Sequence, residues 1–170
     1  MTVLIIGYPE SGKSELAENM VMEMASPGER VYLATMIPCG DEGAARVERH
    51  RKMREGKDFE TIEAPFDIAS AVEEKGGCAD RTVLLECISN LAANELFERR
   101  ESAAAAADKI VSDIARLKEL VRDLVIVSNH YEIKEDFDEE TVMYAKTLDA
   151  VNGRVSAIAD KVIRIPEKQR

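Results

Sequence analysis

The chain has 170 residues, enough for one domain that buries a substantial apolar core without disulfides or a structural metal. Hydrophobic residues make up 45% and charged residues 33%, a globular balance, and 33 acidic against 23 basic side chains give a formal charge of −10. That balance argues against a duplex-DNA binder, which needs a basic face to displace counterions, and three cysteines with two histidines do not suit a Cys/His zinc cluster.

Met1 to Gly7 lacks a basic leader and its apolar run is short for a signal peptide; no stretch nears the ~20 apolar residues that span a bilayer. A soluble cytoplasmic protein is expected, with no nucleic-acid partner, no membrane span, and reduced thiols at Cys39, Cys78 and Cys87.

In chain order, a strand over Val3–Ile6 runs into a glycine-bearing turn and then a helix from Glu15 to Met24. Pro27-Gly28 marks a turn before the strand Val31–Ala34, and Pro38 to Gly40 another before a helix over Ala44–Arg54. Phe59–Ile62 reads as a strand, Asp67–Glu74 as a helix, Gly76-Gly77 as a turn, and Thr82–Leu85 as a strand. Ile110, Ile114, Leu117 and Val121 form one helical stripe, with the Ala103 to Ala107 run as its start. The strand Leu124–Ser128, a helix over Glu140–Asp160 and the strand Val162–Ile165 follow. Val83-Leu84-Leu85 and Leu124-Val125-Ile126-Val127 are apolar throughout, as strands covered on both faces must be. The alternation predicts a single α/β domain over residues 1–170, a mainly parallel sheet with helices on both faces.

Gly7-Tyr8-Pro9-Glu10-Ser11-Gly12-Lys13-Ser14 fits the phosphate-loop pattern G-x-x-x-x-G-K-[ST], with a strand before it and a helix after it. In such a loop the backbone amides from Gly7 through Glu10, Ser11 and Gly12 curl round a phosphate at a helix N-terminus. Lys13 then reaches the β and γ phosphates, and the Ser14 hydroxyl ligates Mg²⁺. A nucleoside triphosphate, GTP or ATP, is the expected ligand, but the loop alone names no reaction. Glu86, which ends the strand Thr82–Leu85, is placed either to organise the metal or ribose or to stand solvated at a strand end.

A second informative stretch runs from Asp41 to Arg51. On a helix, Glu42, Arg46 and His50 share one face, and Arg49 and Arg51 flank the histidine in sequence. His50 is either a surface histidine on a basic helix or a nucleophile toward phosphorus, with Arg46 and Arg49 stabilising phosphoryl oxygens.

Taken together, these residues resemble the adenosylcobinamide kinase/adenosylcobinamide-phosphate guanylyltransferase family. The resemblance runs through Ser11-Gly12-Lys13-Ser14 with Ala17-Glu18, Tyr32-Leu33-Ala34-Thr35, Asp41-Glu42, Arg46 and His50. It continues through Thr61, Glu63 and Pro65, then Leu84-Leu85-Glu86-Cys87-Ile88 with Asn94, and ends on Val127-Ser128-Asn129, Asn152 and Ala159-Asp160.

The resemblance implies a transferase of cobalamin biosynthesis on a RecA-like sheet, assembled as a homo-oligomer, a trimer in the family. It implies phosphorylation of the corrinoid adenosylcobinamide, then transfer of GMP from GTP through a guanylylated histidine, with His50 at the matching position. The chain departs from the family where Asn-Glu-Val-Gly becomes Asn129-His130-Tyr131-Glu132, where an Arg-Asp pair becomes Ala145-Lys146, where Phe59 stands for a common Trp, and where no Gly-containing segment follows Ile165. A P-loop kinase for another small molecule and a nucleotide-binding module without turnover are the alternative readings.

Overall fold

Every run of β-branched and leucine residues read as a strand is one in a computed structural model, which describes residues 1–167. The strands are β1 Thr2–Gly7, β2 Arg30–Ala34, β3 Phe59–Glu63, β4 Cys78–Glu86, β5 Val121–Asn129 and β6 Lys161–Ile165. They form one parallel sheet in the order β3-β2-β4-β5-β1-β6. The helices are α1 Lys13–Met24, α2 Gly40–Arg54, α3 Ile68–Glu74, α4 Ile88–Ala93, α5 Ala103–Leu120 and α6 Glu139–Ile158.

Side-chain alternation divides the core in two. Leu4, Ile6, Leu33, Val83, Leu85, Leu124 and Ile126 point to the face covered by α3, α4, α5 and α6. Val3, Ile5, Tyr32, Leu84, Val125 and Val127 point to the opposite face, where Ala17 and Val21 of α1 meet them. One face therefore has four helices and the other a single well-packed one. Gly43 is the only buried residue of α2, so that helix adds little to the core.

Caps set the helix starts. The Ser102 hydroxyl accepts from the Ala105 amide at α5, and Asp138 accepts from the Thr141 amide at α6. Arg30, buried at the start of β2, donates Nε to the Ala25 carbonyl at 3.0 Å and so closes the C-terminal end of α1.

Several boundaries differ from the sequence reading; β4, for one, opens at Cys78 instead of Thr82. Val121 opens β5 instead of closing a helical stripe, because α5 ends at Leu120 and the chain enters the strand without a loop. Helix α2 begins at Gly40, four residues early, its first turn favoured by Asp41 and Glu42. An unexpected element, α4, follows β4 directly and continues as a π-helical turn over Asn94–Glu98.

Ile114 of α5 is fully buried against this core. Ile114→Ala should lower unfolding stability by ~2–5 kcal/mol in urea titrations, whereas Glu119→Ala at the exposed end of α5 should cost ~1 kcal/mol or less.

Candidate functional site

The loop between β1 and α1 is shaped by two constraints. A Cβ on Gly7 would lie 2.6 Å from Ser11 Oγ and 3.2 Å from Ile165 Cβ, so any side chain there would displace the Ser11 hydroxyl and crowd Ile165. Glu10 and Gly12 both have positive φ, 59° and 85°, which turns successive amides toward the loop interior. No side chain caps α1, leaving its first amides free for an anion. The Glu10 side chain itself is exposed.

Lys13 is buried, and its Nζ donates to the Tyr8 carbonyl across the loop at 2.9 Å. Burial pushes its ammonium below the usual lysine range, with the Cys87 and Glu86 side chains opposing. Ser14 Oγ donates to Glu86 Oε1 at 2.9 Å, which joins the loop to the end of β4. The other carboxylate oxygen, Glu86 Oε2, is buried with no hydrogen-bond partner. Burial raises the Glu86 carboxyl to about 7, against the Ser14 hydrogen bond and the Lys13 charge.

Thr35, at the end of β2, fixes this carboxylate's backbone. Its Oγ1 lies 2.9 Å from the Glu86 and Cys87 carbonyls and accepts from the Cys87 amide at 2.7 Å. Asn94, in the π-helical turn, donates Nδ2 to the Thr35 and Pro65 carbonyls, both at 2.8 Å. The sequence alone gives Thr35 and Asn94 no role; a polar Thr and Asn next to apolar strand and helix runs is the signal that marks them.

Beside Glu86 opens a cavity of about 1020 Å³ on the thinly covered sheet face. Tyr32 and Phe59, edge to face at 6.3 Å, lie along it, with Ala34, Thr61 and Glu63 toward the strand ends. Helix α2 forms the opposite wall with Arg46, His50 and Arg54. Arg54 seats its guanidinium 3.6 Å over the Tyr32 ring and donates to the His50 carbonyl at 2.9 Å. It stands four residues from His50, a spacing the sequence offered.

His50 is half-buried, and its Nδ1 is buried without a hydrogen-bond partner. Burial lowers its pKa, followed by the charges of Arg46, Arg54, Arg49 and Lys13. The imidazole is thus kept neutral near pH 7 with lone-pair density available. Arg46 and Arg49 are both exposed, but Arg46 lines the cavity with His50 and Arg49 does not. Gly7, Ser11, Gly12, Lys13, Ser14, Glu86, Arg46 and His50 are therefore gathered at one end of the sheet.

The segment after β5 borders the loop from the other side. Asn129 pairs in register with Gly7, donates its backbone amide to Ser89 Oγ at 2.9 Å, and donates Nδ2 to the Tyr131 hydroxyl at 3.2 Å. Tyr144 packs against Tyr131 and donates to the Ser89 carbonyl at 3.2 Å. Asn152 of α6 holds the Asn129 carbonyl and accepts from Ser128 Oγ. Lys146 lines a groove between α5 and α6, and Ala145 is buried in α6.

The chain spans nearly the whole of a Salmonella typhimurium protein, "Bifunctional adenosylcobalamin biosynthesis protein CobU", at 28% identity over 174 residues, 95% of this chain and 93% of that one. A protein of the same description from Escherichia coli is 32% identical over 98 residues, and here the match spans 58% of this chain and about half, 51%, of the relative. Among solved structures, a KaiC-like protein from Pyrococcus horikoshii OT3 superposes with a TM-score of 0.52 at 15% identity, covering 97% of this chain and 70% of that one. That likeness bears on the fold, a P-loop domain of RecA type. Among the described residues no helix is long and apolar enough to cross a membrane. The family described as cobinamide kinase / cobinamide phosphate guanyltransferase matches residues 3–166, and the chain belongs to it.

Proposed function

We propose that this chain phosphorylates the alcohol of adenosylcobinamide and then transfers GMP from GTP to the resulting phosphate through a guanylylated His50. The observation that carries the reading is the state of His50: a neutral imidazole with an unpartnered, buried Nδ1, on a cationic cavity wall that Glu86 also lines. A nucleophile toward phosphorus needs a free lone pair, and neighbouring guanidinium groups offset the charge of the oxygens it must approach.

In the kinase half, the Gly7–Ser14 amides and Lys13 hold the β and γ phosphates, and Lys13, with three donors, adds phosphate oxygens to its Tyr8 carbonyl contact. In the guanylyl half, an imidazole nitrogen of His50 attacks the α phosphorus of GTP. The N–P bond forms, the P–O bond to pyrophosphate breaks, and the imidazole proton is released. The corrinoid phosphate oxygen then attacks the same phosphorus, the N–P bond breaks, and His50 is regenerated. Arg46 is placed to neutralise phosphoryl oxygens in both steps; Arg49, off the cavity wall, would have to turn inward to assist.

Ser14 Oγ and the unpartnered Glu86 Oε2 are hard oxygen donors that suit Mg²⁺, an ion that takes one or two carboxylates and fills its shell with water and phosphate. Bound there, Mg²⁺ would supply charge neutralisation to the triphosphate.

Incubation with Mg²⁺ and α-labelled GTP, followed by denaturation, is expected to leave acid-labile, alkali-stable label on the protein that maps to His50. His50→Ala should retain GTP binding within about threefold and lose the label; undiminished labelling would remove His50 from the mechanism. ATP consumption with no adduct would leave a kinase alone.

Glu86 makes a second expectation. Its carboxyl rises from the ordinary 4.5 to about 7 in the folded chain, so the native state binds the extra proton between those values. That contribution to stability is complete below the ordinary value and is lost as pH climbs through 7. Without divalent cation, the unmodified chain should lose stability relative to Glu86→Gln between about pH 5 and pH 8 in urea titrations, and a constant difference would contradict the burial argument.

A further inference from the structure

The phosphate loop is also gripped from outside, by a segment with no part in the chemistry above. His130 follows β5 directly, and its amide donates to the Gly7 carbonyl at 3.0 Å, carrying the β5–β1 ladder to the first residue of the loop. Its ring stands edge-on to the Tyr8 ring, with centroids 5.5 Å apart at 82°. On its other side, Nδ1 lies 3.0 Å from Asp149 Oδ1 of α6. A carboxylate can only accept, so Nδ1 carries the proton and the ring is fixed in one tautomer and one orientation.

Tyr8 is held at three points. Its hydroxyl donates to Glu132 Oε1 at 3.0 Å, two residues beyond His130. Its ring meets the His130 edge. Its carbonyl receives Lys13 Nζ at 2.9 Å and the Ser11 amide at 3.2 Å. The path from α6 to the loop lysine is therefore continuous: Asp149, His130, Tyr8, Lys13.

We propose that His130, tethered by Asp149, is a positioning residue that sets the Tyr8 peptide and hence the place from which Lys13 and the loop amides meet the terminal phosphates. This rests on the reading of Gly7–Ser14 as a triphosphate-binding loop. His130 touches no phosphate itself; it acts through Tyr8.

The test is a double-mutant cycle in the full chain, with the affinity for GTP or ATP, whichever the unmodified chain binds more tightly, as readout. His130→Ala and Tyr8→Ala should each weaken triphosphate binding by about five- to tenfold, and the double variant should bind no more weakly than the poorer single one. The preference for triphosphate over the corresponding monophosphate should fall in the same proportion, a change that general loosening of the fold would not produce. Thermal melting checks that each variant is folded, and His130→Phe, which keeps the ring edge but drops the Asp149 tether, provides a milder substitution if His130→Ala melts early. Losses that multiply in the double variant, an unchanged triphosphate preference, or unaltered binding in both His130 variants would overturn the proposal. Failure of the unmodified chain to bind any triphosphate would overturn the phosphate-loop reading and this inference together.

Discussion

A parallel sheet must be covered on both faces, and in this chain the cover is unequal. Four helices press on one face, while α1 alone packs firmly on the other. The consequence is local and specific: Tyr32 and Phe59 look out from β2 and β3 into a cavity instead of into a helix. Helix α2 completes that cavity as a wall, and with Gly43 as its only buried residue it is held by Arg54 on Tyr32 more than by apolar contact. That thinly covered part of the sheet is where the polar side chains collect.

Their arrangement runs against what a stable core would choose. Ser11 Oγ, His50 Nδ1, Glu86 Oε2 and Asn129 Oδ1 are buried without hydrogen-bond partners, and each lies at the C-terminal ends of the strands or on the helix facing them. Unsatisfied buried atoms of this sort cost ~1–3 kcal/mol each when nothing compensates. Around them the support is dense: Thr35 fixes the backbone at Glu86 and Cys87, and Asn94 fixes Thr35. Rigid scaffolding around unsatisfied groups is the signature of a site arranged for a ligand.

Much of this was legible in the residues themselves. Period-two and fully apolar runs disclose all six strands, and the phosphate loop announces its neighbours because its pattern requires a strand before it and a helix after it. Glu86 and His50 could be named because their residue types suit phosphate chemistry. What stayed hidden depends on distance in space. The order of strands brings Asn129 beside Gly7 across more than half the chain, and no local pattern encodes that pairing. The short helix after Glu86 merges into the apolar run of β4, so its period cannot be told from the strand's. Arg49 and Arg46 looked equivalent in sequence, and only their angular positions on α2 put one on the cavity wall and leave the other off it.

The chain's aromatic inventory gives the site an optical identity. There is no tryptophan and there are only four tyrosines, and all of them border the region described: Tyr8 in the loop, Tyr32 along the cavity, Tyr131 on Asn129, and Tyr144 against Tyr131. Elsewhere the protein is transparent in the tyrosine band. Absorption and emission in that band therefore arise from this end of the sheet alone, and any molecule that enters there is recorded by a chromophore already in place.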